Sequence, residues 1–69
     1  MVEVDARGLS CPLPVMRAKQ ALSAAPDRLV VRVDSGTAKA NVSSMLADEG
    51  YDVSVSEEPD HFRIEASRT

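Results

Sequence analysis

The chain is short of the residues that usually stabilise a small protein. Its 69 residues include one cysteine, one tyrosine, one phenylalanine and no tryptophan. A single cysteine cannot form an internal disulfide, so we expect a reducing, cytoplasmic location. With no disulfide and few aromatic side chains, a chain of this length has only a modest core. We therefore expect a single domain over residues 1–69, of marginal to moderate stability.

The sequence also lacks a basic excess and a long apolar run. Eleven acidic residues outnumber eight basic ones, which gives a formal net charge of −3. Nucleic-acid binding requires clustered Lys and Arg, so we expect no direct binding of DNA or RNA by this chain alone. No apolar segment approaches the roughly 20 residues that cross a membrane, and the N-terminus shows no signal-peptide pattern, so we expect no membrane contact.

The one cysteine lies in the segment Asp5–Met16, which reads DARGLSCPLPVM. Residues 2–6 alternate apolar and polar side chains like a half-buried strand, and apolar residues after the cysteine recur at helical spacing. Cys11 therefore falls where a strand ends and a helix begins. Pro12 suits the first helical position, and Pro14 lies in the same turn, where neither proline forfeits an intrahelical hydrogen bond.

That position has chemical consequences for the thiol. The positive end of a helix dipole and its spare amides favour the anionic form of a cysteine, which lowers its pKa. Gly8 permits the backbone conformation of a tight strand-to-helix turn. Arg7 precedes this turn and either lowers the thiol pKa, holds an incoming anion or pairs with Asp5. We favour a reactive, accessible thiol at Cys11; the alternative is a small buried apolar side chain.

Two further residues, Leu13 and His61, have two interpretations each. Leu13 falls outside the apolar stripe of its helix, so it either packs under the preceding loop or joins Leu9 in an apolar collar that partners grip. His61 is either a solvated hairpin residue, which we favour, or the base of a Cys–His dyad, which requires hydrogen-bond contact. One Cys and one His fall short of a zinc ligand set, so we expect no metal.

The remaining pattern predicts the element order βαβαββ. The predicted strands are 2–6, 28–33, 51–56 and 61–66, and the predicted helices are 12–24 and one with Ala38, Val42, Met45 and Leu46 on its apolar face, ending at Gly50. Right-handed crossovers place both helices on one face of the sheet. The fold class is therefore α/β (α+β), a two-layer sandwich with a four-stranded mixed sheet.

The topology also predicts the surroundings of the thiol. The second face of the sheet is largely polar and open to water, with arginines paired to acids across strands. The turn 34–37 and the last hairpin lie at the same end as Cys11. Acidic side chains fringe that end, and we expect them to be screened from the thiol by distance. Ser43 and Ser44 are interpreted as solvated surface of the second helix.

Asp5, Arg7-Gly8-Leu9, Cys11-Pro12-Leu13-Pro14 and Val15-Met16 resemble the signature of the TusA-like sulfur carriers, the group of TusA, SirA and YedF. The opening looks closest to the N-terminal carrier domain of YedF-type proteins. The resemblance implies strand order 1-2-4-3. It also implies that Cys11 accepts sulfur, holds it as a persulfide and passes it on, with no other cofactor.

The same resemblance implies partners. The donor would be a cysteine desulfurase or rhodanese, and the acceptor a sulfur-relay protein or thiolating enzyme, in tRNA thiolation, cofactor synthesis, sulfur oxidation or selenium metabolism. The chain would act as a monomeric carrier with sulfurtransferase chemistry and not as an independent turnover enzyme. Asp34-Ser-Gly-Thr37 replaces the Asp-Pro pair of many TusA-type members, which puts TusA-specific contacts in doubt.

Two other functions compete with this one. In the first, the chain is a small regulatory or protein-interaction module in which Cys11 is not used chemically. In the second, Cys11 is a redox-active thiol, although the chain has no second cysteine to resolve an oxidised intermediate.

Overall fold

The computed structural model describes residues 2–10 and 12–68, and its elements follow the predicted order. The strands are β1 (Val2–Asp5), β2 (Arg28–Val33), β3 (Tyr51–Glu57) and β4 (Phe62–Arg68), and the helices are α1 (Leu13–Leu22) and α2 (Gly36–Asp48). None of the described helices is long and apolar enough to cross a membrane.

The four strands form one mixed sheet in the order β1-β2-β4-β3. β1 is parallel to β2, whereas β4 is antiparallel to both of its neighbours, β2 and β3. α1 contacts β1 and α2, and α2 contacts β3 and β4, so the helices form one layer over the sheet. The predicted two-layer architecture and strand order are confirmed.

The core lies between the sheet and the helix layer. β2 is its centre, because Leu29, Val31 and Val33 have no exposed surface and belong to an inner strand. From the helix layer, Val42 and Leu46 of α2 pack against them, also fully buried. Complete burial of an aliphatic side chain of this size contributes about 1.5–3 kcal/mol, so these contacts dominate the stability of the fold.

Four elements differ from their predicted bounds: β1 ends at Asp5 and β3 at Glu57, each one residue from the predicted end, and α1 and β4 differ at both ends. α1 begins at Leu13 and ends at Leu22, not at residues 12 and 24, because Pro12 is the N-cap residue and Ser23 the C-cap residue. β4 begins at Phe62, one residue after His61, which belongs to the hairpin. β4 continues to Arg68 because its pairing with β3 extends to Tyr51. Hydrophobic alternation fades in those last residues, so the sequence did not reveal them.

Two buried groups lie where the sequence predicted solvent. Val30 is on the sheet face opposite the helices, yet it is 1% exposed. Its cross-strand neighbours are Glu3 and Glu65, whose carboxylates form ion pairs with Arg32 and Arg63 on the same face. Long charged side chains of this kind cover apolar surface with their aliphatic stems. On α2, the Oγ atom of Ser43 is buried with no hydrogen-bond partner among the described residues. The prediction that Ser43 is solvated was therefore wrong.

Candidate functional site

The starts of both helices and the last hairpin meet at one end of the sheet. β1, β2 and β3 run in the same direction, because β4 is antiparallel to β2 and to β3. Each helix begins after one of these strands, so α1 and α2 both direct the positive ends of their dipoles toward this end. The convergence predicted from the topology is confirmed. We call this region the loop end of the protein.

Cys11 itself lies outside the described residues, but the residues on either side of it are described. The Leu13 amide donates to the Ser10 carbonyl at 2.9 Å, and the Met16 amide donates to the Pro12 carbonyl at 3.1 Å. Pro12 is therefore the N-cap residue of α1 and not, as the sequence predicted, its first helical residue. Its side chain makes no capping hydrogen bond. These bonds set where the helix begins relative to the cysteine in the sequence.

The start of α1 offers fewer free amides than the sequence suggested. Proline has no N–H, so Pro12 and Pro14 supply no donor, and the Leu13 amide is already bonded to Ser10. An anion at this helix start would depend mainly on the dipole and on neighbouring charges. Pro14 also contributes to packing, because its side chain is fully buried. The sequence did not reveal this burial.

Pro14 lies in a small cleft between the starts of the two helices. The cleft is lined by Pro12, Pro14, Val15, Ser35, Ala38 and Asn41. Its volume of about 20 Å³ is close to that of a single water site. The two helix starts are therefore packed closely, which fixes the position of Pro12 relative to the loop after β2.

Gly8 turns the chain between β1 and α1. Its φ of +78° is in the left-handed region that glycine adopts without strain, as the sequence predicted. The Gly8 amide donates to Oδ2 of Asp34 at 2.7 Å. The sequence did not identify this contact, because Asp34 is 26 residues away and was assigned only to a turn. Asp34 is thus in direct contact with this loop, whereas its screening from the thiol stays a prediction, because Cys11 lies outside the described residues.

Arg7 pairs with Asp5, which is one of the three interpretations that the sequence left open, and its effect on the thiol or on an anion stays a prediction. Its Nε donates to Oδ1 of Asp5 and its Nη2 to Oδ2, each at 2.9 Å, and its amide also donates to Oδ1 at 3.1 Å. These hydrogen bonds lower the pKa of the Asp5 carboxyl to about 2. The Asp5 carboxylate in turn raises the pKa of Arg7, with smaller contributions from Asp60 and Asp34.

His61 is not the solvated hairpin residue that we favoured from the sequence. Its side chain is 12% exposed, and its Nδ1–H donates to Oδ1 of Asp60 at 2.6 Å. This hydrogen bond lowers the pKa of Asp60. The Nε2 atom is buried and has no partner among the described residues. The alternative Cys–His dyad stays a prediction, because Cys11 lies outside those residues.

The apolar side chains around the loop end differ in exposure. Leu9 is half-buried and packs against the core, whereas Leu13 is 43% exposed and Met16 is 51% exposed. A partner that grips this end would therefore meet Leu13 and Met16 more readily than Leu9. The exposed apolar side chains at this end therefore lie on the first turn of α1, and not in the loop that contains Leu9.

Comparison with known proteins identifies the family. The family model described as Sulfurtransferase TusA matches residues 2–68. The chain belongs to the TusA family. A curated relative, the sulfur carrier protein TusA of Allochromatium vinosum, is 37% identical over 71 aligned positions, which cover 94% of this chain and 92% of the relative.

The fold of this TusA family member is also found in a solved structure. The SirA-like protein of Desulfitobacterium hafniense superposes with a TM-score of 0.86 at 28% identity, covering 97% of this chain and 96% of the other. These relatives confirm the resemblance to the TusA and SirA group. The closer similarity to YedF-type domains stays a prediction, as do the site roles of Cys11, Arg7, Gly8, Leu9, Pro12, Leu13 and Pro14.

Proposed function

We propose that this TusA family member is a sulfur carrier that holds sulfur as a persulfide on Cys11. The observation that carries the proposal is the family match over residues 2–68, which includes the only cysteine of the chain, two positions before α1 begins in the sequence. The position suits the chemistry, because a helix dipole stabilises the thiolate, and the thiolate is the form that attacks sulfur.

The transfer is a sequence of two exchange reactions. The Cys11 thiolate attacks the terminal sulfur of a donor persulfide, the donor S–S bond breaks, and its electron pair leaves on the donor cysteine as a thiolate. The product is a persulfide on Cys11. An acceptor thiolate then attacks the terminal sulfur of that persulfide, and Cys11 leaves as a thiolate. Both steps resemble thiol–disulfide exchange and consume no external oxidant or reductant.

A carrier of this kind needs two partners that use the same end of the protein in turn. A cysteine desulfurase or a rhodanese would supply the sulfur, and a sulfur-relay protein or thiolating enzyme would receive it. The exposed side chains of Leu13 and Met16 support this arrangement, since they offer apolar contact beside the cysteine in sequence. We propose a cytoplasmic, monomeric carrier without a bound cofactor apart from the persulfide.

The test is the intact mass of the protein after incubation with a cysteine desulfurase and cysteine. We expect a gain of one or more sulfur atoms that a thiol reductant removes. Cys11→Ser is the matched control and should show no gain. If several competent donors fail to add sulfur to the wild-type protein, the carrier function is wrong and an interaction module becomes the better hypothesis.

The partner surface has a test of its own. Leu13 and Val55 are each 43% exposed, but Leu13 is in the first turn of α1 and Val55 is on the edge strand β3. We expect Leu13→Ser to slow sulfur loading by a donor protein and Val55→Ser to leave it unchanged. Equal rates for both variants and the wild type would exclude Leu13 from the donor interface.

A further inference from the structure

The loop between β1 and α1 is held by one side chain from another element. Most of its described hydrogen bonds are local, such as Leu9 N–H to the Ala6 carbonyl at 3.4 Å, or between backbones, such as Ala6 N–H to the Arg32 carbonyl at 2.8 Å. Among the described residues, Asp34 alone forms a side-chain hydrogen bond to this loop from outside β1 and the loop, at the Gly8 amide.

The contact between Gly8 and Asp34 has the geometry of a strong hydrogen bond. The donor–acceptor distance is 2.7 Å, and the acceptor is a carboxylate, which strengthens and shortens an N–H···O hydrogen bond. Gly8 has a wide choice of backbone conformations, so its turn is the most adaptable point of the loop. A fixed acceptor at its amide selects one orientation of that peptide.

Asp34 is itself held between two rigid elements. It follows Val33, which is fully buried and paired with Phe62 of β4. It precedes Ser35, whose side chain caps α2 by accepting the Ala38 amide at 3.1 Å. The carboxylate is therefore anchored to the sheet on one side and to α2 on the other, and through Gly8 it ties the loop to both.

We propose that Asp34 is a positioning residue for the thiol of Cys11. By fixing the Gly8 peptide, its carboxylate sets the orientation of the loop that presents the cysteine to a large partner. The proposal rests on the proposed carrier function, because orientation matters when a protein donor must place its persulfide in line with the thiolate. A misplacement of about 1 Å at a reacting group can slow transfer up to about a hundredfold.

Two variants separate orientation from charge. Asp34→Ala removes both the acceptor and the negative charge, whereas Asp34→Asn keeps an oxygen acceptor and removes only the charge. Asp52→Ala is the matched control, because Asp52 is an exposed acid at the other end of the sheet, in β3 paired with Ser67. It changes the net charge equally without touching the loop.

The first measurement is amide NMR of Gly8 in the full chain. In Asp34→Ala we expect a large upfield shift of the Gly8 proton and about tenfold faster hydrogen exchange, because the amide loses its acceptor. Asp34→Asn should keep most of the shift, and Asp52→Ala should keep all of it. An unchanged Gly8 amide in Asp34→Ala would overturn the proposal at its first step.

The second measurement compares a protein donor with a small reagent. We expect Asp34→Ala to slow sulfur loading by a cysteine desulfurase about tenfold, with Asp34→Asn close to the wild-type rate. Iodoacetamide needs no oriented approach, so its limiting rate at high pH should be the same for all variants. Equal slowing in both Asp34 variants, or parallel slowing with iodoacetamide, would contradict a positioning role.

The pH profile of alkylation identifies the contribution of charge. Loss of a nearby negative charge favours a thiolate, so both Asp34 variants should lower the apparent thiol pKa by similar amounts. This common shift reports the charge of Asp34 alone, and the contrast between the protein donor and iodoacetamide reports its positioning role. If the wild-type protein accepts no sulfur from any donor, the carrier function fails, but the Gly8 amide and the alkylation profiles still test whether Asp34 orients the loop.

Discussion

Asp5 and Arg7 form the best-defined ion pair beside the loop end. The bidentate contact at 2.9 Å stabilises the Asp5 carboxylate, and the hydrogen bonds from Arg7 account for its low pKa of about 2. A carboxyl whose pKa is depressed in the folded state favours folding above its ordinary pKa. That contribution is lost as the pH falls through about 2. Since both side chains are exposed, salt should screen much of it.

This pair gives the first prediction. In Arg7→Ala we expect the pKa of Asp5 to rise from about 2 toward the ordinary aspartate value of about 3.9, because the main hydrogen-bond donor is removed. A titration of the carboxyl ¹³C chemical shift from about pH 7 to about pH 1.5 would measure the pKa of Asp5. Arg17→Ala, on the exposed surface of α1, is the control and should leave Asp5 unchanged. A low Asp5 pKa in the Arg7 variant would mean that another group stabilises the carboxylate.

The second prediction concerns Gly8. A Cβ atom at Gly8 would meet nothing within 4 Å, so the cost of Gly8→Ala comes from its φ of +78° alone. We expect a loss of roughly 1–2 kcal/mol in the free energy of unfolding, measured in urea. Gly36→Ala is the matched control, because its Cβ also meets nothing within 4 Å and its φ is ordinary. That variant should be neutral or slightly more stable, and equal losses in both would refute the conformational explanation.

At the scale of elements, α2 contains a buried polar group that lacks a hydrogen-bond partner in the part of the chain that the structure describes. Ser43 has a buried hydroxyl without a partner among the described residues, whereas Ser44 on the same helix is exposed. An unsatisfied buried polar group costs about 1–3 kcal/mol. A serine at this position is tolerated by the fold, although alanine would suit the helix better.

The third prediction follows from that difference. Ser43→Ala removes the unsatisfied hydroxyl and raises helix propensity, so we expect a gain in unfolding free energy of about 1–2 kcal/mol. Ser44→Ala changes only the propensity, so we expect at most about 0.5 kcal/mol. Thermal unfolding followed by circular dichroism would compare the two. No excess gain for Ser43→Ala would show that its hydroxyl is satisfied by water in solution.

At the scale of the whole molecule, stability depends on a thin core. Two helices cover one face of a four-stranded sheet, and the other face is polar apart from Val30. Small domains bury a limited share of their surface, so each large core side chain carries much of the total stability. Leu46 is fully buried and Leu13 is 43% exposed, which allows the same substitution to be compared inside and outside the core.

The fourth prediction uses that pair. Leu46→Ala should cost about 2–5 kcal/mol, enough to unfold much of the population near 37 °C if the total is at the low end of about 5–15 kcal/mol. Leu13→Ala should change the unfolding free energy by less than about 0.5 kcal/mol. Urea unfolding at about 25 °C would measure the unfolding free energy of each variant and of the wild type. Comparable losses would indicate that Leu13 is buried in solution.

The sequence by itself determined the element order, the layer arrangement and the inward faces of the strands. Alternation in residues 28–33, the helical spacing of Val42 and Leu46, and the glycine after α2 are local signals, and local signals survive without knowledge of the rest of the chain. The turn at Gly8 and the helix that begins shortly after Cys11 in the sequence came from the same source. Strand order came from family resemblance, because spacing does not decide which strands are neighbours.

Tertiary structure decided which side chains meet across the fold. The contact from Asp34 to Gly8 joins residues 26 positions apart, and no pattern in the sequence marks it. The burial of Val30, His61 and the Ser43 hydroxyl likewise depends on neighbours contributed by other elements. Periodicity tells which face of an element a residue occupies, but packing between elements determines how much water reaches it and which polar groups find partners.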